Sequence, residues 1–136
     1  NTYNMPDEYN AINWALKSQY SDLVEYCKGL IAMRKEHPAF SLGRAEAVRE
    51  HLSFIEGGNE AAVGFVLDNL EGIDSAKRIV VLMNGSREDV EFDIPAGNYK
   101  WISDGEFIHA KGMGAFDAST GKINVAPISG VILAEY

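Results

Sequence analysis

Two hydrophobic periods divide the chain. Between residues 20 and 37 apolar side chains recur at i, i+3, i+4, i+7 and i+8, as Leu23, Tyr26, Cys27, Leu30 and Ile31, which is one stripe of an amphipathic helix. Asp22 followed by Glu25 has capping-box spacing and marks its start. His37-Pro38 marks its end, because the residue before a proline is pushed out of the α region. Residues 44–50 predict one more short helical stretch.

From Leu52 the period falls to two and turn signals come at short intervals. Residues 52–55 and 62–67 read as strands on either side of a Gly57-Gly58-Asn59 turn, and residues 68–76 as a loop. Residues 79–83 are apolar throughout, the mark of a central strand covered on both faces. After the Asn84-Gly85 turn, Val90, Phe92 and Ile94 alternate with Asp89, Glu91 and Asp93, giving a strand with one wet face. Strands follow at 99–102, 107–109, 123–125 and 131–133, while the glycines of 112–121 leave that stretch unassigned. Seven or eight short strands so spaced predict an antiparallel β-sandwich. The chain therefore reads as mainly β, with residues 51–136 able to bury a core. Residues 1–50, one helix and an irregular loop, have no core of their own and read as a piece of a larger domain.

Composition narrows the function classes. With 46% hydrophobic and 24% charged residues the chain has the make-up of a folded globular domain rather than a disordered one. No apolar run is long enough for a membrane helix. A net charge of −8 with scattered basic residues argues against nucleic acid as a partner. The single cysteine, Cys27, forms no internal disulfide and falls on the apolar stripe, as a small buried hydrophobe would. The chain opens on Asn1-Thr2-Tyr3 without a signal-peptide pattern, as a processed or excised chain does.

The first forty residues carry a resemblance. Residues 1–14, NTYNMPDEYNAINW, resemble the loop after the eighth barrel strand of type I pullulanases, in the α-amylase superfamily (glycoside hydrolase family 13), where the pattern is N-x-Y-x-x-P-D-x-x-N-x-I-D-W. Residues 30–40, LIAMRKEHPAF, are similar to the family's eighth barrel helix and its exit, and residues 49–54 to the entry into its C-terminal β domain. The tail VAPISGVIL, residues 125–133, resembles the ending of amylase-type β domains. One departure stands out: the family's I-D-W is Ile12-Asn13-Trp14 here, an amide that keeps the hydrogen-bonding shape of the Asp without its charge.

The resemblance implies an amylase-type C domain, residues 51–136, preceded by the last loop and helix of a (β/α)8 barrel, residues 1–50. It also implies a parent enzyme that hydrolyses α-1,6 linkages in pullulan, amylopectin or glycogen fragments with two carboxylic acids. Those acids belong at barrel strands preceding Asn1, so no catalytic residue is assigned to this chain and it is expected to be inactive alone. Asn1, Tyr3, Asn4 and Asp7 are the candidate substrate-binding residues. Asn and Asp donate and accept hydrogen bonds to sugar hydroxyls, a ring stacks on a pyranose, and loops at this end of a barrel line its active site. The implied partners are α-glucan, bound through the parent barrel, and the barrel itself; a helix face left bare also predicts self-association.

Other candidates are weaker. His37, His51 and His109 have no ligand spacing with Cys27, so ordinary hydrogen bonds are expected and no metal or cofactor is assigned. Asp68, Glu71 and Asp74 form an acidic loop that reads as solvated rather than as a calcium site. Tyr99 and Trp101 share one face of a strand and are either core or a sugar-stacking platform. Two alternatives stay open: a stand-alone carbohydrate-binding or interaction sandwich, and the tail of an isoamylase, branching enzyme or α-amylase.

Overall fold

The computed structural model describes residues 2–55 and 58–136. Asn1, and Gly57 of the turn before the second strand, lie outside the described residues. Among those described, eight strands form two antiparallel sheets. The larger has six strands: β1 (Leu52–Ile55), β2 (Ala62–Leu67), β3 (Arg78–Asn84), β5 (Asn98–Ser103), β6 (Ile108–Asp117) and β8 (Ser129–Glu135), in the order β1-β2-β3-β8-β5-β6. The smaller is a ribbon of β4 (Val90–Asp93) and β7 (Lys122–Val125). The fold is a mainly β, antiparallel sandwich.

Alternation along β3 explains why both faces of the large sheet are dry. Val80 and Leu82 point to the ribbon and join Phe92, Tyr99, Val125 and Leu133 in one core. Ile79 and Val81 point the other way and join Met33, Ala39, Leu70, Ile102 and Ala134 in a second. Each buried Val, Leu, Ile, Met or Phe side chain among them contributes about 1.5–3 kcal/mol. Met83, at the strand's end, is exposed.

The second core is closed by the N-terminal residues. Helix α3 (Ser21–Glu36), a 3-10 turn (Pro38–Ser41) and α4 (Ala45–His51) follow two one-turn helices, α1 (Asp7–Asn10) and α2 (Leu16–Gln19). Met33 and Ala39 are buried against the sheet, with Leu30, Phe40 and Leu42 packed beside them. Packing thus crosses residue 50. The approach of α3 to β6 is close enough to need glycine: a Cβ on Gly29 would lie 2.7 Å from the Cβ of Ile108.

Three local expectations are corrected. Asp22 is not the N-cap of α3: that position is Tyr20, with no side-chain cap, and Asp22 lies in the first turn, where its charge favours the helix dipole. The capping-box partner Glu25 instead takes Lys28 at 2.6 Å. The stripe is also rotated. Tyr26, Gly29, Leu30 and Met33 face the sheet, whereas Leu23, Cys27 and Ile31 are exposed, so Cys27 is not a buried hydrophobe. Finally, the unassigned glycine-rich stretch is largely β6. Gly112 at φ +80 and Gly114 at φ +52 bend it, and its register with β5 shifts twice, which hides a ten-residue strand from any period-two reading.

The two sheets are joined at a buried amide. Asn84 Nδ2 donates to the carbonyls of Glu88, Val125 and Ala126 at 2.8–3.0 Å, and its Oδ1 accepts from the N–H and hydroxyl of Ser86. The Asn84-Gly85 signal therefore marks a crossing from the large sheet to the ribbon.

Candidate functional site

The N-terminal loop holds the described candidates within six residues. The Met5 N–H donates to the Thr2 carbonyl at 3.0 Å, closing a turn with Tyr3 and Asn4 at its centre. Pro6 then sets the backbone for α1, whose first residue is Asp7. Asn10 stitches the loop shut, its Nδ2 donating to the carbonyls of Thr2 (3.0 Å) and Met5 (3.2 Å). Tyr3, Asn4 and Asp7 are all exposed, Tyr3 at 91%. Short polar side chains thus stand on a braced turn, an arrangement able to meet hydroxyl groups. Asn13 accepts the Ala15 N–H at 3.1 Å, so the amide in place of the family's Asp still turns the chain. Trp14 is 72% exposed.

The loop leads into α3, and α3 is bolted to the sandwich at its far end. His37 ends the helix in an extended conformation. Its Nε2 donates to the Ala110 carbonyl on β6 at 2.8 Å. Its Nδ1 meets Asp74 Oδ1, also at 2.8 Å, and both side chains are fully buried. Asp74 further accepts the N–H groups of Ala39 (3.1 Å) and Ala76 (2.9 Å). Burial pushes the Asp74 carboxyl up, but the hydrogen bonds from Ala76, His37 and Ala39 outweigh it and hold the group below its ordinary value. The Asp74 carboxylate and the Ala110 carbonyl are both acceptors, so each ring nitrogen of His37 faces one. Asp74 is therefore not part of a solvated acidic loop. Nor is Asp68, which binds Arg78 at 3.0 Å.

The remaining candidates separate. His51 Nδ1 meets the Asp68 carbonyl at 3.0 Å. Tyr99 is core, its hydroxyl donating to the Pro95 carbonyl at 2.8 Å. Trp101 is half-buried and stacks at a tilt on Phe116.

The matching family lies on the sandwich: residues 48–106 match the pullulanase all-beta domain. Over 95 residues the chain is 32% identical to the pullulanase of Bacillus subtilis strain 168. This chain carries a pullulanase all-beta domain. The curated relative covers 70% of the chain, while the chain spans 13% of that protein. The structure of the pullulanase from Bacillus acidopullulyticus superposes with a TM-score of 0.89 at 30% identity, covering 99% of this chain and 16% of that one. A type I pullulanase from Bacillus subtilis strain 168, complexed with maltose, gives 0.84 at 27% identity, covering 99% and 18%. The similarity to these pullulanases thus runs through the loop and α3 as well as the all-beta domain.

Proposed function

We propose that this chain is the C-terminal part of a pullulanase-type glycoside hydrolase that cleaves α-1,6-glucosidic linkages in pullulan, amylopectin and glycogen-derived glucans. The observation that carries the reading is the superposition of the whole chain, loop and α3 included, on pullulanase structures. The all-beta domain is the cap of the catalytic barrel. The outward face of α3 and the segment before it, with Ile12, Trp14, Leu23 and Ile31 exposed, is the surface the barrel covers, because an apolar stripe of this size in water is unfavourable. The paired catalytic carboxylates lie on the barrel. Asn4 and Asp7, with Asn1 and Tyr3, line its glucosyl subsites, and the maltose complex of the related type I pullulanase supports an α-glucan as the occupant.

The test is hydrolysis by the parent polypeptide. It cleaves pullulan and spares linear amylose; cleavage of amylose with pullulan untouched overturns the proposal. In the same assay Asp7→Ala raises KM by about tenfold, the weight of a hydrogen bond to a buried polar group.

A further inference from the structure

The β4–β7 ribbon is too narrow to cover a six-stranded sheet. Where it stops, β5 and β6 present Trp101 and Phe116, half-buried, with ring centroids 5.0 Å apart and planes at 58°. These rings floor an open cleft of about 470 Å³ rimmed by Glu91, Lys122, Asn124 and Thr120, within the range of small-molecule sites. The one ammonium on the rim is tied up by carboxylates: Lys122 binds Glu91 directly and lies 3.5 Å from Asp93. Thr120 and Asn124 are exposed and add neutral donors and acceptors.

Each feature selects a ligand property. The angled rings take a flat apolar face. A lysine already engaged by two carboxylates is no free cation for an anionic ligand, which favours an uncharged one. The rim nonetheless presents both donors and acceptors to a molecule rich in hydroxyls. A pyranose, with a C–H face and a hydroxyl edge, meets all three requirements, whereas a purely apolar ligand leaves the rim unpaired.

We propose that the Trp101–Phe116 cleft is a second saccharide-binding site, separate from the N-terminal loop, that takes a short run of neutral glucan. That the glucan is α-linked rests on the proposed function; that the ligand is a saccharide rests on the cleft alone. Such a site holds the chain of a branched polymer on the cap while the barrel works elsewhere on it, raising its effective concentration.

The test is a titration of the 136-residue chain with maltoheptaose and, separately, cellohexaose, followed by backbone amide shifts. Maltoheptaose is expected to move residues 101, 116, 120 and 122–124, and in a Trp14→Phe background to shift the emission of Trp101. Trp101→Ala weakens binding by about tenfold or more. Because Trp101 also packs on the core, Asn124→Ala on the surface provides a second arm, with about threefold loss and an unchanged Tm. Binding that survives both variants, or that is abolished only by Trp14→Phe or Asp7→Ala, overturns the cleft. Binding of neither sugar overturns it too, and leaves pullulan hydrolysis by the parent standing. Cellohexaose binding at the cleft with maltoheptaose excluded upholds a saccharide site and overturns its α-glucan identity.

Discussion

The imidazole of His37 and the carboxylate of Asp74 meet at 2.8 Å with neither side chain exposed to water. Thirty-seven residues separate them in sequence, and the pair ties the end of α3 to the loop between β2 and β3. A buried ion pair is weak evidence for net stability, but breaking one is expensive because a charge is left without its counter-ion.

His37→Ala is therefore expected to destabilise the chain by about 3–5 kcal/mol. Asp74→Asn is expected to destabilise as well, since Oδ1 accepts from Ala76 and meets His37 while Oδ2 accepts from Ala39, and an amide keeps only one of these two oxygens. Urea midpoints of the two variants check the losses; a wild-type midpoint for either contradicts them.

The same pair sets a pH dependence. Asp74 is held below its ordinary value of 3.8 in the folded chain. A carboxylate depressed in this way contributes stability that is complete above the unfolded pKa and fades as pH falls through the lower folded one. The stability difference between wild type and Asp74→Asn should shrink as pH falls below about 4. A difference that grows on acidification has the wrong sign.

Gly29→Ala sets helix propensity against packing. Alanine favours a helix interior by about 1 kcal/mol over glycine, yet its Cβ would stand 2.7 Å from that of Ile108. Neither backbone can yield without moving α3 off β6, and such overpacking costs about 1–3 kcal/mol. The expected outcome is a lower Tm together with faster amide exchange at residues 108–110. A higher Tm shows that α3 is not seated as described.

Asn84→Asp replaces an amide that donates to three carbonyls with a group that accepts only. Burying a charge against those oxygens costs several kcal/mol, so the variant is expected to lose the ribbon or fail to fold near neutral pH. Protonating the new carboxyl restores one donor, and circular dichroism at pH 4 should recover part of the signal.

The outward stripe of α3 predicts self-association when no barrel is present. Leu23 and Ile31 are 59% and 56% exposed, and a contiguous apolar face of this kind promotes association. Light scattering should report oligomers that Leu23→Lys with Ile31→Lys dissolves without changing the Tm. A wild-type chain that stays monomeric at high concentration removes the prediction.

The sandwich was legible wherever alternation is strict. Residues 79–82 announced a strand dry on both faces, and Val90 and Phe92 one dry on one face, because burial there depends only on side-chain parity. The face of α3 was not legible: both Leu23-Cys27-Ile31 and Tyr26-Leu30-Met33 are apolar, and only tertiary contact decides which row meets the sheet. β6 was hidden by glycines whose positive φ breaks the period. His37 with Asp74, and Trp101 with Phe116, are pairings between distant elements that no local spacing announces. The assignment of Tyr3, Asn4 and Asp7 to substrate rests on resemblance alone, since the chemistry of that loop is that of any polar turn.

The large sheet has its last-made strand in the middle. β8 pairs with β3 on one side and β5 on the other, although every other strand precedes it in the chain. During synthesis, β1–β3 and β5–β6 are two separate antiparallel units, each with an inner edge of unpaired amides and carbonyls. Both await the same seven residues. The nascent chain thus carries two sticky margins until β8 leaves the ribosome, and a premature stop anywhere before it releases a product whose halves cannot be welded. Such a product is a substrate for chaperones and proteases rather than a shortened domain.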